Sequence, residues 1–204
     1  MNEKQRKGIK ALHILSIGEI LACVGLLVEL SFLTPWLNIS ALVALVGVIM
    51  MLVGVIKLRK VNKFFVISFI AILTTLLVSV VIGTIDTVLQ FNNITGYNET
   101  LSTVQLVISK VISFVYTFGL VRGCALAATG KSKSKFGTHM ILVNGGGKFI
   151  SITISVVTAL FLENYPVASG VLALISTIIS IVVELYFCVF LYRTYLKAKA
   201  KYQD

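Results

Sequence analysis

Residues 64–91 read FFVISFIAILTTLLVSVVIGTIDTVLQF, and Asp86 is the one ionisable side chain among them. A helix rises about 1.5 Å per residue, so a run of this length more than spans a hydrocarbon core of about 30 Å. Apolar runs of about 20 residues recur along the chain, and the gaps between them are too short to hold a soluble domain. The pattern predicts six helices, at about 9–31, 39–58, 64–91, 101–127, 138–162 and 167–195. The predicted fold is therefore all-α: one integral membrane domain, residues 1–204, built as a bundle of six transmembrane helices.

Composition agrees with that expectation. The chain is 57 % hydrophobic and 13 % charged, with a mean hydropathy of +0.98, far from a soluble domain. The net charge of +10 invites a nucleic-acid reading, but its distribution excludes one. Sixteen of the 18 Lys and Arg residues fall at alternate segment ends: Lys4, Arg6, Lys7 and Lys10; Lys57, Arg59, Lys60 and Lys63; Arg122, Lys131, Lys133 and Lys135; Arg193, Lys197, Lys199 and Lys201. No patch interleaves aromatics with base-reading side chains. Positive charge collects on the cytoplasmic side of membrane proteins, so both termini are expected inside, N-in and C-in, against anionic lipid headgroups. The expected localisation is a cell membrane, that of a bacterial plasma membrane. The N-terminal segment, in which Leu21-Ala22-Cys23 loosely resembles a lipoprotein cleavage box, is expected to be retained. Glu19 interrupts its apolar run, which continues to Leu30.

Only Lys110 and Lys148 lie away from the segment ends, and with Glu19 and Glu184 they sit near the middle of four separate apolar segments. Each such charge costs roughly 2.5 to 3.5 kcal/mol at a membrane helix centre, so they normally face a protein interior or a wet cavity. Counting residues from the nearest helix end places Glu19, Lys110 and Lys148 about 13 to 15 Å deep, with Glu184 within about a turn of that level. Two acids and two bases at one depth predict two neutralising Glu–Lys pairs. Asn144 precedes Gly145-Gly146-Gly147-Lys148, where three glycines permit a kink, an unwound stretch or close approach by a neighbour. Phe149 follows Lys148, so this is not a phosphate-binding loop. The same glycines, with Lys148, make the fifth span the weakest, but losing it would carry the basic tail to the wrong side.

Helical spacing draws the polar residues into stripes. Ser16, Glu19 and Cys23 share a face on the first helix; Thr75, Ser79, Gly83, Asp86 and Gln90 on the third; Lys110, Ser113 and Thr117 on the fourth, with Ser102, Gln105 and Ser109 near. The fifth carries Asn144, Lys148, Ser151, Ser155 and Thr158, and the sixth Ala173, Thr177, Ser180, Glu184 and Cys188. The second has no hydrogen-bonding side chain from Ala41 to Ile56, only Gly47 and Gly54, and is expected at the periphery. Small and hydroxyl residues are also the ordinary contacts of membrane helix packing, and Gly119 and Gly123 fit either that or a dimer contact. Glu29, Asp86, Glu99 and Glu163 make the predicted outer face acidic, which favours cations at its mouth. Asn93-Ile94-Thr95 and Asn98-Glu99-Thr100 match a glycosylation acceptor pattern in a short loop, to which no role is given.

Cys23, Cys124 and Cys188 all fall in apolar segments, and packing is the expected role for each. His13 and His139 have no partner at metal-ligand spacing, and no catalytic or cofactor motif is present. The expected protein is thus a transporter of a small solute or ion, or its substrate-binding membrane subunit, with no cofactor. Its intramembrane site would use Glu19, Lys110, Asn144, Lys148 and Glu184, with Asp86 at the outer approach. In the absence of a nucleotide-binding segment, energy would come from a gradient or a separate partner, and the partners would include a second copy or another subunit. In size and predicted topology the chain is similar to the substrate-binding subunits of vitamin importers, with no motif behind the likeness. Two other classes compete: a membrane scaffold or accessory subunit whose charges are structural salt bridges, and an intramembrane lipid-modifying enzyme.

Overall fold

The computed structural model describes residues 3–30, 37–91, 98–129, 135–161 and 165–203. They form six helices: α1 (Glu3–Leu30), α2 (Leu37–Leu58), α3 (Lys63–Phe91), α4 (Asn98–Thr129), α5 (Lys135–Phe161) and α6 (Pro166–Gln203). No strand occurs among the described residues. Five helices are long and apolar enough to cross a membrane; in α2 the apolar run within the described residues is the shorter Leu42–Leu58. The predicted connections at 32–36, 92–97 and 162–164 lie outside the described residues, as do the side chains of both glycosylation patterns and of Glu29, Glu99 and Glu163.

Helix ends differ from the apolar spans, and for a simple reason. Hydropathy marks where a segment becomes apolar, whereas the backbone hydrogen-bond ladder continues through any good helix former. So α1 begins at Glu3, where a Glu3–Lys7 pair at 2.6 Å bridges one turn, and α6 runs on through Lys197, Ala198, Lys199 and Ala200. Asn62 sits just before α3 and accepts from the Phe64 amide at 3.0 Å, a helix N-cap. Its Nδ2 also donates to the Gly123 carbonyl at 3.1 Å, which ties the α2–α3 turn to the end of α4. Pro166 is the first residue of α6, where its missing N–H is no loss.

The helices close a ring in chain order, α1 to α6 and back to α1, and α4 also meets α6 across it. The tightest seam joins α1 and α2. A Cβ on Gly47 would stand 2.5 Å from the Ala22 amide nitrogen, and one on Gly18 2.7 Å from that of Met51. Backbones can approach this closely only where side chains are absent. Gly119 and Gly123 serve the same purpose between α4 and α3, against Ser68 and Phe65, so they are an internal packing contact. Expected at the periphery with the other five helices around the interior, α2 is instead a full member of the ring: Leu42, Leu45, Val46 and Ile49 are exposed on its outer side, while Val48 and Met51 face the interior, because Gly47 and Gly54 let it pack closely on α1.

The ring is sealed at one end and splayed at the other. Leu15, Val55, Phe65, Leu120, Met140, Phe187 and Leu191 are essentially fully buried and form one apolar plug. The plug adjoins the end where the Lys and Arg clusters gather. There Gly8 approaches Val61, and His13 of α1 stacks on Tyr195 of α6 with ring centroids 4.4 Å apart. Towards the opposite end contact thins. On α3, Leu76, Leu77, Val80, Val81, Ile85 and Val88 are exposed, and a Cβ on Gly83 would meet nothing within 4 Å.

The glycine run leaves α5 helical throughout. Of the three expected roles, close approach is the one observed. A side chain on Gly145 would strike the Phe114 ring of α4, and one on Gly147 would strike Val183 of α6, while Gly146 faces open space. The run is a two-sided notch that lets α5 seat between its neighbours.

Candidate functional site

Above the plug the ring encloses a cavity of about 690 Å³. All six helices reach it, and its two sides differ in chemistry. Ala22, Val48, Met51, Ile72 and Leu76, from α1 to α3, form an apolar wall. Opposite stand the hydroxyls of Ser109, Ser113, Ser151, Ser176, Thr177 and Ser180, from α4 to α6. Glu19, Tyr116, Cys23 and Cys188 line it at the plug side, with Glu184 one turn of α6 above Cys188; Lys110 lines it higher still. Helix register explains this layering. Leu15 in the plug, Glu19 and Cys23 follow one another at one-turn spacing on α1, as do Leu191, Cys188 and Glu184 on α6.

The four mid-segment charges do not form two ion pairs. Lys148 and Glu184 do pair, at 3.6 Å between Nζ and Oε1. The Lys148 ammonium also donates to Ser113 Oγ at 2.6 Å and Thr117 Oγ1 at 3.2 Å, so two of its N–H bonds are used and the Glu184 carboxylate lies just beyond hydrogen-bond distance. Thr117 in turn donates to the Ser113 carbonyl at 2.9 Å, which leaves its oxygen free to accept from Lys148. Glu19 takes a different partner: the Tyr116 hydroxyl donates to its Oε1. Lys110 donates to Ser180 Oγ at 2.7 Å. The reason lies in register. Lys110 sits six residues before Tyr116 on α4, about 9 Å along the axis, so it stands well above the level of Glu19.

Access to the cavity separates the charges further. Glu19, Lys110 and Glu184 line it, whereas Lys148, as buried as Glu19, lies behind Ser113 and Glu184, outside the lining. Asn144, one turn towards the basic end, is fully buried and also outside it; its amide has no hydrogen-bond partner among the described residues. Asp86 is half-buried on the splayed part of α3 and does not line the cavity; among the described side chains of its predicted stripe only Thr75 does. On α5 Ser151 lines the cavity and shares hydrogen bonds with Ser176 at 2.8 Å and Ser180 at 3.4 Å, while Ser155 turns back to the Ser151 carbonyl. Ala173 on α6 faces outward.

Two features escaped the polar stripes. Tyr116 is buried and carries the contact to Glu19, and its spacing of three from Ser113 and seven from Ser109 was the available signal. Cys23 and Cys188, expected only to pack, lie near each other across the α1–α6 seam and both line the cavity. Cys124 is buried in the plug instead.

Fold and site together define a six-helix bundle, sealed at its basic end around an amphipathic, partly charged cavity. The chain matches no family model, no curated protein and no solved structure.

Proposed function

We propose that the chain spans a cell membrane six times, with the basic end and both termini in the cytoplasm, and binds a small organic solute in the central cavity as a transporter or the substrate-binding membrane subunit of one. The exterior supports membrane insertion. Between the helix ends its exposed side chains are mostly apolar, and the exposed α3 hydroxyls Thr74, Thr84 and Thr87 turn inward to their own helix, to the carbonyls of Ile70, Val80 and Gly83 at 2.7–2.9 Å. Such hydroxyls leave no polar group unsatisfied in lipid. With the basic end inside, this conformation is closed towards the cytoplasm by the plug.

The observation that carries the solute reading is the cavity itself: about 690 Å³, mostly apolar, with a few convergent polar and charged groups. Those are the attributes of small-molecule sites, which run to about 300–1,000 Å³. The test is a thermal-shift screen of small metabolites on the detergent-purified protein. At least one solute raises the melting temperature of the wild type. Ile181 of α6 also lines the cavity, and the cavity-filling Ile181→Trp abolishes that gain. Glu19→Gln, which keeps an acceptor for Tyr116, weakens the solute at least tenfold with little change in the unliganded melting temperature. If no solute stabilises the protein and Ile181→Trp only makes it more stable, the cavity is a packing defect and the proposal fails.

A scaffold or accessory subunit is the second reading, favoured by one observation: Lys148 is held by an ion pair to Glu184 and hydrogen bonds to Ser113 and Thr117, as a structural clamp requires. The clamp and a solute site are compatible, because Lys148 is not in the cavity lining.

A further inference from the structure

The charges that face the cavity point to a substrate class, an inference that rests on the solute reading above. Glu184 is matched by Lys148 behind it. Two lining charges are left, Glu19 at the floor and Lys110 above it, and they do not neutralise each other: Glu19 is held by Tyr116 and Lys110 by Ser180. Each keeps unused capacity. Oε2 of Glu19 has no hydrogen-bond partner among the described residues, and two of the three N–H bonds of Lys110 are likewise unmatched. With both groups ionised the floor offers an acceptor with negative charge and the upper part donors with positive charge, at levels that differ by about 9 Å of helix rise.

Two constraints follow. The cavity charges already sum to zero when the four groups are ionised, so a ligand with net charge would bring an uncompensated charge into a poorly solvated space, which is costly. A ligand with no polar ends would bury the spare groups of Glu19 and Lys110 without replacing their water, which is costly as well. A molecule neutral overall but charged at both ends meets both constraints and pairs each charge, with its apolar body along Val48, Met51 and Ile72. We infer that the cavity takes an amphipathic organic zwitterion, with its ammonium or other N–H donor group at Glu19 and its carboxylate or similar acid at Lys110.

The experiment uses three probes of one shape: para-(aminomethyl)benzoate, the cation benzylamine and the anion benzoate. Binding to the full-length protein in detergent is read by thermal shift and by calorimetry. The wild type prefers the zwitterion at least tenfold over either single ion. Lys110→Met, which removes the upper positive charge, brings benzylamine level with or above the zwitterion. Glu19→Gln, which removes the floor's negative charge, does the same for benzoate. These opposite swaps in preference do not arise from a loss of stability. If benzylamine or benzoate binds the wild type as well as the zwitterion, or if the order is the same in all three proteins while Ile181→Trp still abolishes binding, the zwitterion assignment is wrong and the solute cavity stands. If no probe of any charge binds and the metabolite screen also yields nothing, the solute reading falls and this inference with it.

Discussion

Lys148 and Glu184 are unequal partners: their side chains are 6 % and 32 % exposed. A lone charge left in a dry interior is expensive, whereas one that reaches a cavity recovers part of its solvation. Glu184→Gln leaves the buried lysine, so it is expected to destabilise by about 3–5 kcal/mol, the range for breaking a buried pair. Lys148→Met leaves the more exposed carboxylate and is expected to cost clearly less. The double variant recovers most of the loss. Reversible unfolding of the four proteins in mixed micelles checks the order, and equal costs for the two single changes would contradict the geometry. At this scale the sequence revealed the depth of each charge, because distance from a helix end is a matter of counting. It did not reveal who meets whom. Glu19 finds Tyr116, 97 residues away, and the choice depends on how α1 and α4 are rotated about their axes. Asn144 shows the same limit: a polar residue beside a glycine run promised a site, but its helix turns it into the seal, where an unpaired amide costs about 1–3 kcal/mol.

Helices are where sequence and structure agree best, since a long apolar run has no other way to satisfy its backbone in lipid. All six form, in order, and the lack of polar side chains on α2 shows in the apolar face, Val48 and Met51, that it turns to the cavity. Glycines are another matter, because one residue type serves several ends. Gly47→Ala should destabilise by about 1–3 kcal/mol, since the new methyl meets the rigid backbone of α1 at Ala22. Gly83→Ala and Gly146→Ala, which meet nothing within 4 Å, should stabilise by up to about 1 kcal/mol through helix propensity alone. Melting temperatures of the three variants separate the two kinds of glycine. A loss at Gly146 as large as that at Gly47 would show that the α5 run does more than seat α5 between Phe114 and Val183.

Closure of the whole ring brings α1 back to α6 and so Cys23 to Cys188. Phenylarsine oxide tests that closure: the arsenic forms one bond to each sulfur, and its oxygen leaves as water with the two thiol protons. One equivalent should be retained against a monothiol and released by a dithiol. Cys23→Ser or Cys188→Ser should abolish retention, whereas Cys124→Ser, in the plug, should not; retention that survives Cys188→Ser would mean that the seam is wrongly drawn. By itself the sequence determined the helices, their apolar surfaces, the gathering of positive charge at alternate ends and the presence of costly charges at mid-depth. These are properties of composition and of distance along one chain segment. Only the tertiary structure decided that one ion pair forms rather than two, that the glycine run is a notch, and that Glu19 and Lys110 share a cavity with two thiols. Those outcomes depend on the rotation and approach of helices far apart in sequence, and no local pattern records them.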